Sequence, residues 1–416
     1  MKTLITNISS LVTVDANRQL YKSGSQMQDV GEIKNGAIYF NEKILWIGKA
    51  HEAIQLINNR QIDPDQIIDA NGKTVMPGFV DSHTHIVFAG NRSQEFARRL
   101  RGVSYQQIAS EGGGILTTMK GTREASLEDL VETARKIAKN AIKHGTTALE
   151  IKSGYGLTVE SEIKILKAIQ MLKDILPLHI SATFLGAHDF PPEYKNNRQD
   201  YIKLIIDQMI PKIANENLAE FCDAFIDKGY YTLEEGKQVL QTALKYGLKL
   251  KVHCDELADV GAAELAAQLG AISADHLLFV NEKGINALKN SKTCATLLPG
   301  TAYFIRMPYA PARKLIENDN IVALSTDCNP GSSFTENMQL ILSLAAINMN
   351  MTAEEAICAA TINGAYAIAQ SKYMGSLQIG KLANLILLDI DSYIDLFYHF
   401  GINHVKNVWI KGKQII

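Results

Sequence analysis

Residues 75–85 read VMPGFVDSHTH. The apolar Phe79 and Val80 behind Pro77-Gly78 predict a short buried strand, placed at 76–83. His83 and His85 stand at its end. Alternate residues of a strand share a face, so both imidazoles can address one ion. Two histidines two apart are a weak signal alone. Their weight depends on what the rest of the chain sets beside them.

Downstream, strands and helices alternate. Ser126 with Asp129 three residues on makes a capping-box-like start. Leu127, Leu130, Val131, Ala134, Ile137, Ala138 and Ile142 follow at helical spacing, and Gly145 closes the helix. The strand TALEI comes next, and the pattern repeats. Strands are predicted near 76–83, 146–151, 180–188, 219–226, 249–254, 272–277, 293–298 and 321–327, with helices between most of them. Eight such strands predict a (β/α)8 TIM barrel over residues 76–375. The stretch 84–125, with Gly112-Gly113-Gly114, is too long for a plain connection and is expected to form a loop or lid over the barrel mouth.

The two ends of the chain differ from this middle. LITNISSLVTV alternates, AIYFNEKILWIG reads as two strands around Asn41-Glu42, and β-type segments return in ANLILLDI and VKNVWIKGKQII. Residues 1–75 and 376–416 are therefore expected to form one small β-sandwich domain into which the barrel is inserted.

Barrel enzymes place their chemistry at the carboxyl ends of the strands. His188 ends the third predicted strand, His253 the fifth, His276 the sixth and Asp327 the eighth. Any one of them reads equally well as a hydrogen-bonded structural residue. Together they gather at one rim. His83, His85, His253 and Asp327 offer three nitrogens and one oxygen, a set that suits one Zn or Fe ion and leaves a position for water. Glu256, three residues past His253, can carry a proton to a substrate nitrogen, although a helix-start glutamate is ordinary there. Arg92 read alone is a surface ion-pair residue. On a loop leaving the site, its planar fork suits a carboxylate-bearing small molecule.

Composition removes several classes. Among 416 residues, Lys+Arg is 42 and Asp+Glu 44, so the net charge of −2 leaves no basic footprint for nucleic acid. No run of 18 apolar residues predicts a membrane span. The amino-terminal stretch lacks a signal-peptide core, and five scattered cysteines without CxxC fit a reducing, cytoplasmic setting. Cys254 and Cys328 neighbour candidate ligands but should point to the opposite face.

VMPGFVDSHTH and GSLQIGKLANLILLD resemble the amidohydrolase superfamily, in which a β/α barrel interrupts a small β domain. RSQEF at 92–96, Gly112-Gly113-Gly114-Ile115, EIKSGYGL at 150–157, FLGAH at 184–188, HCDE at 253–256 and TDCNPGSS at 326–333 resemble one branch of it. That branch opens the cyclic amide of 4-imidazolone-5-propanoate to N-formimidoyl-L-glutamate, the third step of histidine degradation. The resemblance implies His83, His85, His253 and Asp327 as metal ligands. It implies Arg92, Tyr155, His188, Glu256, Asn329, Gly331 and Ser332 as substrate-binding positions, with His276 completing the pocket. Asn384 stands where the family commonly has Asp, away from the barrel mouth. Many superfamily members hold two metals bridged by a lysine of the fourth strand. AEFCDAFI contains none, so one ion per chain is expected. The resemblance also suggests a homodimer.

The expected chemistry is attack of activated water on the ring carbonyl. Asp327 and His276 would orient the water, His188 or His276 would stabilise the oxyanion, and Glu256 would protonate the leaving nitrogen. Another cyclic amidohydrolase, or a cytosine- or guanine-type aminohydrolase, would use much the same set. Arg92 speaks against the nucleobase, which carries no carboxylate. A non-catalytic scaffold of this fold would be expected to lose ligands, and all four are present.

Overall fold

A computed structural model describes residues 1–103, 107–108 and 111–416. From the amino end come β1 (Thr3–Val12), β2 (Glu32–Phe40), β3 (Ile44–Lys49), β4 (Gln66–Asp69) and β5 (Thr74–Pro77). Eight strands follow: β6 (Phe79–Asp81), β7 (Thr146–Lys152), β8 (His179–Ala187), β9 (Phe221–Ile226), β10 (Lys249–Cys254), β11 (Ser273–His276), β12 (Cys294–Leu297) and β13 (Val322–Leu324). The chain closes with β14 (Leu385–Leu388), β15 (Val405–Ile410) and β16 (Lys413–Gln414).

Strands β6 to β13 hydrogen-bond in sequence order, every pair parallel. The expected barrel is therefore present. Its seam closes just beyond the ends of β6 and β13, through a parallel bridge between Thr84 and Cys328. Asp327 N donates to His83 O at 3.0 Å, and His85 N to Cys328 O at 2.9 Å. The seam thus ties the backbone of His83 and His85 to that of Asp327 and Cys328.

Helices cover the barrel where apolar spacing predicts them. Helix Leu127–Lys143 starts at Ser126, whose Oγ accepts from Asp129 N at 3.1 Å, and buries Leu130, Val131, Ala134, Ile137, Ala138 and Ile142. Gly145 ends it at φ 95°, a conformation that other residues rarely adopt. Cys254 and Cys328 are fully buried among the apolar residues of the barrel.

Both chain ends join in a second, mixed sheet of order β16-β15-β14-β5-β1-β2-β3, with β4 beside β1. The joint is β5 against β14, antiparallel from Pro77↔Leu385 to Thr74↔Leu388. Ile5, Ile8, Ile38, Phe40, Leu385 and Trp409 pack on one another there. Only Gly78 separates β5 from β6, so this sheet anchors the strand that leads into His83. Asn384 stays in it, accepting from Lys411 N at 2.8 Å.

The stretch 84–125 departs from the expectation of a loop. It carries helices Ser93–Leu100 and Ile115–Glu124. Residues 104–106 and 109–110 lie outside the described residues, and with them part of the expected lid.

Candidate active site

His83, His85 and His253 each present a ligand atom within 4.8 Å of the other two, and His83, His276 and Asp327 form a second such group. All five side chains are buried. His83 Nε2 lies 3.2 Å from His85 Nε2, and Asp327 Oδ1 lies 3.5 Å from each of those nitrogens. Asp327 Oδ2 accepts from Thr301 Oγ1 at 2.6 Å, which fixes the carboxylate's rotation. This donor set fits a small, nitrogen-favouring divalent cation.

Backbone strain helps to assemble it. Asp275 and His276 are adjacent in β11, and a regular strand would aim them at opposite faces. His276 has φ 78°, which turns its ring back into the barrel mouth beside Asp275. Asp327 likewise has φ 51°. Non-glycine residues held there mark a backbone constrained by its surroundings, as functional sites often are.

Carboxylates stand behind the outer imidazole nitrogens, hydrogen-bonded at His83 and in charge contact at His253. Asp275 Oδ2 lies 2.6 Å from His83 Nδ1, and Asp223 Oδ2 lies 3.0 Å from His253 Nδ1. A carboxylate behind an imidazole fixes its tautomer and raises its basicity toward a metal. His188 Nδ1 lies 3.0 Å from Gly154 O. A carbonyl only accepts, so Nδ1 carries the proton. Burial holds His188 down to about 3, so the ring is neutral and its Nε2 is a bare acceptor.

Three polar side chains shape the rim loops. Buried Glu162 accepts from the backbone N–H of Gly154 at 3.0 Å and of Gly156 and Leu157 at 2.8 Å, which holds the turn carrying Tyr155. Asp227 accepts from Glu256 N at 2.7 Å and Leu257 N at 2.8 Å, which holds Glu256 over the mouth. Asn329 Oδ1 accepts from the N–H groups of Gly331 and Ser332, each at 2.8 Å. A Cβ on Gly331 would stand 2.9 Å from Arg92 Cζ, so the guanidinium packs directly on this turn. Arg92 Nε donates to Glu95 Oε2 at 2.8 Å.

These residues surround a cavity of about 610 Å³. Every site residue expected from the sequence lines it except His83, which lies beneath. Burial, joined by the Asp327 and Asp227 charges, raises the Glu256 carboxyl well above the usual range. Its Oε2 is 3.7 Å from His276 Nε2. Burial lifts Asp327 to about 6. It also pushes His83, His85 and His276 well below 6.5, which leaves neutral imidazoles able to bind a metal.

Sequence reasoning missed Asp223, Asp275, Glu162, Asp227 and the cavity-lining Phe225, Lys228 and Tyr230. Asp223 had a usable signal: a charge inside the apolar strand FCDAFI must be paired if it is buried. Among the described residues, no helix is long and apolar enough to cross a membrane.

Residues 74–415 match the model of the amidohydrolase family. The chain is 47% identical over 411 residues to an imidazolonepropionase of Thermoanaerobacter pseudethanolicus, covering 99% of this chain and 96% of the relative. It is 44% identical to one of Christiangramia forsetii, with 100% of both covered. Among solved structures, E. coli guanine deaminase superposes with a TM-score of 0.72 at 16% identity, covering 100% of this chain and 99% of that one. A zinc-bound adenosine deaminase of Xanthomonas campestris also gives 0.72 at 16% identity, over 99% of this chain and 92% of that one. At such identities the two deaminases share the fold alone. Full-length identity above 40% and the gathered His/Asp cluster together place this chain in the amidohydrolase family, among the imidazolonepropionases.

Proposed function

We propose that the cavity at the barrel mouth hydrolyses the cyclic amide of 4-imidazolone-5-propanoate to N-formimidoyl-L-glutamate. The observation that carries this reading is one cavity lined by histidine and aspartate donors, the Glu256 carboxyl and the Arg92 guanidinium. Its volume suits a small ligand.

His83, His85, His253 and Asp327 would hold one Zn or Fe ion, since both accept three nitrogens and one oxygen. Such an ion supplies Lewis acidity toward water and the ring carbonyl. A single ion is the reading because β9 carries no lysine and Lys152, on β7, is engaged by carboxylates.

The chain's own residues perform the remaining tasks. Arg92 binds the propanoate carboxylate through its planar fork, with the Asn329–Ser332 turn beside it. Tyr155, whose ring lies 5.8 Å from His85 and 5.5 Å from His188, walls the ring of the substrate. His188 accepts a ring N–H through its bare Nε2. It cannot donate there, so His276 is the histidine left to stabilise the developing oxyanion. Asp327 orients the attacking water and takes its proton. Glu256, protonated in its buried position, gives a proton to the ring nitrogen as the C–N bond breaks.

The same reading divides the chain into a β domain of residues 1–75 with 376–416 and a barrel of residues 76–375. The pairing of β5 with β14 supports joining the two ends, with β5 running two residues past 75, to Pro77.

Glu256→Gln tests the proton path. The amide keeps the shape but cannot give up a proton, so kcat should fall by about 10²–10⁴ with KM and metal content retained. Near-normal turnover would remove Glu256 from the path.

A further inference from the structure

Beneath the histidine cluster lies a layer of buried charge that the proposed reaction does not use. Lys152 is fully buried. Its Nζ lies 2.9 Å from Glu150 Oε1, 2.9 Å from Asp223 Oδ2 and 3.6 Å from Asp275 Oδ2. Two of these oxygens also face the imidazoles, Asp223 Oδ2 at His253 Nδ1 and Asp275 Oδ2 at His83 Nδ1. One ammonium therefore stands behind both orienting carboxylates. Glu150 is held separately, accepting from Thr183 Oγ1. The other buried ammonium nearby, Lys251, is 3.7 Å from Asp275 Oδ2 and is committed to Ser273 Oγ at 2.6 Å and Ala367 O at 3.1 Å.

Lys152 does not line the cavity. No substrate role accounts for placing a charge there, and desolvating a lone ammonium costs several kcal/mol. What it contacts is the pair of carboxylates that set two ring orientations. Asp223 keeps one hold, its Oδ1 accepting from His253 N at 3.1 Å, but removing the cation leaves its Oδ2 and that of Asp275 repelling each other beside the rings.

We propose that Lys152 is a positioning residue of the metal centre, anchoring Asp223 and Asp275 so that His253 and His83 present their inner nitrogens to one ion. The proposal rests on the metal reading given above. Partners behind a ligand histidine typically change metal affinity by about ten- to hundredfold when lost.

The test uses full-length protein stripped with chelator and titrated with Co²⁺, whose visible spectrum reports coordination geometry. Lys152→Met removes the ammonium at similar size. Glu150→Gln/Lys152→Met removes one charge of each sign and keeps both aspartates, so it separates positioning from simple charge balance. The expected result is a Co²⁺ Kd raised about tenfold or more in both variants, with an altered visible band and a native circular dichroism spectrum. Wild-type affinity and spectrum in either folded variant would overturn the proposal. Failure of both variants to fold would also overturn it, making Lys152 a structural cation. No Co²⁺ binding by wild-type protein would instead remove the metal reading, and this proposal with it.

Discussion

Replacing Gly331 by alanine adds one methyl group at the contact between the Asn329–Ser332 turn and Arg92. Its carbon would overlap Arg92 Nη1 outright and lie 2.9 Å from Cζ. An ordinary carbon contact is about 3.5–4.0 Å, so the guanidinium must move by about 1 Å. The backbone itself accepts alanine, because Gly331 is not among the positive-φ glycines. Arginine's far end is flexible, and the fold should therefore keep its stability. Binding should not survive as well. A shift of this size breaks the bidentate match to a carboxylate, whose charge-assisted bonds are worth about 1.5–3 kcal/mol. KM for 4-imidazolone-5-propanoate should rise about ten- to hundredfold, with kcat little changed. Steady-state kinetics of Gly331→Ala, Arg92→Ala and the double variant would decide, with thermal unfolding as the control. If the methyl acts through Arg92, the double variant is no worse than Arg92→Ala alone. Additive losses, or a Gly331→Ala enzyme within twofold of wild type, would show that the turn does not set the Arg92 position.

Two further outcomes follow from buried groups. Glu162→Ala strips the acceptor from three backbone N–H groups, at about 1–3 kcal/mol for each left unpaired. Urea unfolding should show a loss of about 3 kcal/mol and kinetics a lower kcat, while unchanged values would separate the Tyr155 turn from this carboxylate. Burial lowers His179 to about 4 from an unfolded value of 6.5. The unfolded chain therefore takes up a proton that the folded chain refuses, and stability is lost as pH falls from about 6.5 toward 4. Partial exposure reduces the effect to about 2 kcal/mol. His179→Asn should accordingly lose less melting temperature than wild type between pH 7 and pH 5, and an equal loss would contradict this.

The barrel and the metal-type donors were readable from sequence because both signals are local. Apolar strands recur at a regular interval, and histidines or aspartates stand at their ends. The supporting charges are not local. Asp275 meets His83 across 192 residues of chain, so neither neighbourhood announces the pair. The turned backbone at His276 and Asp327 also hides from a pattern that assumes regular strands; the predicted eighth strand ran to 327, whereas β13 ends at Leu324. The helices within 84–125 are hidden from the sequence because its glycines and charged residues, among them Arg98, Arg99 and Arg101, mask the short apolar spacing. Lys152 was visible in EIKSGYGL, yet its three carboxylate partners come together only in the closed barrel.

Opening of an imidazolone ring at a metal centre of one ion per chain is directly measurable. The most direct test offers the purified protein 4-imidazolone-5-propanoate, follows the loss of its ultraviolet absorption, and measures bound Zn and Fe on the same sample. The expected result is hydrolysis to N-formimidoyl-L-glutamate at a rate proportional to metal content, saturating at one ion per chain. No hydrolysis at full metal occupancy, or undiminished hydrolysis by metal-stripped protein, would contradict it.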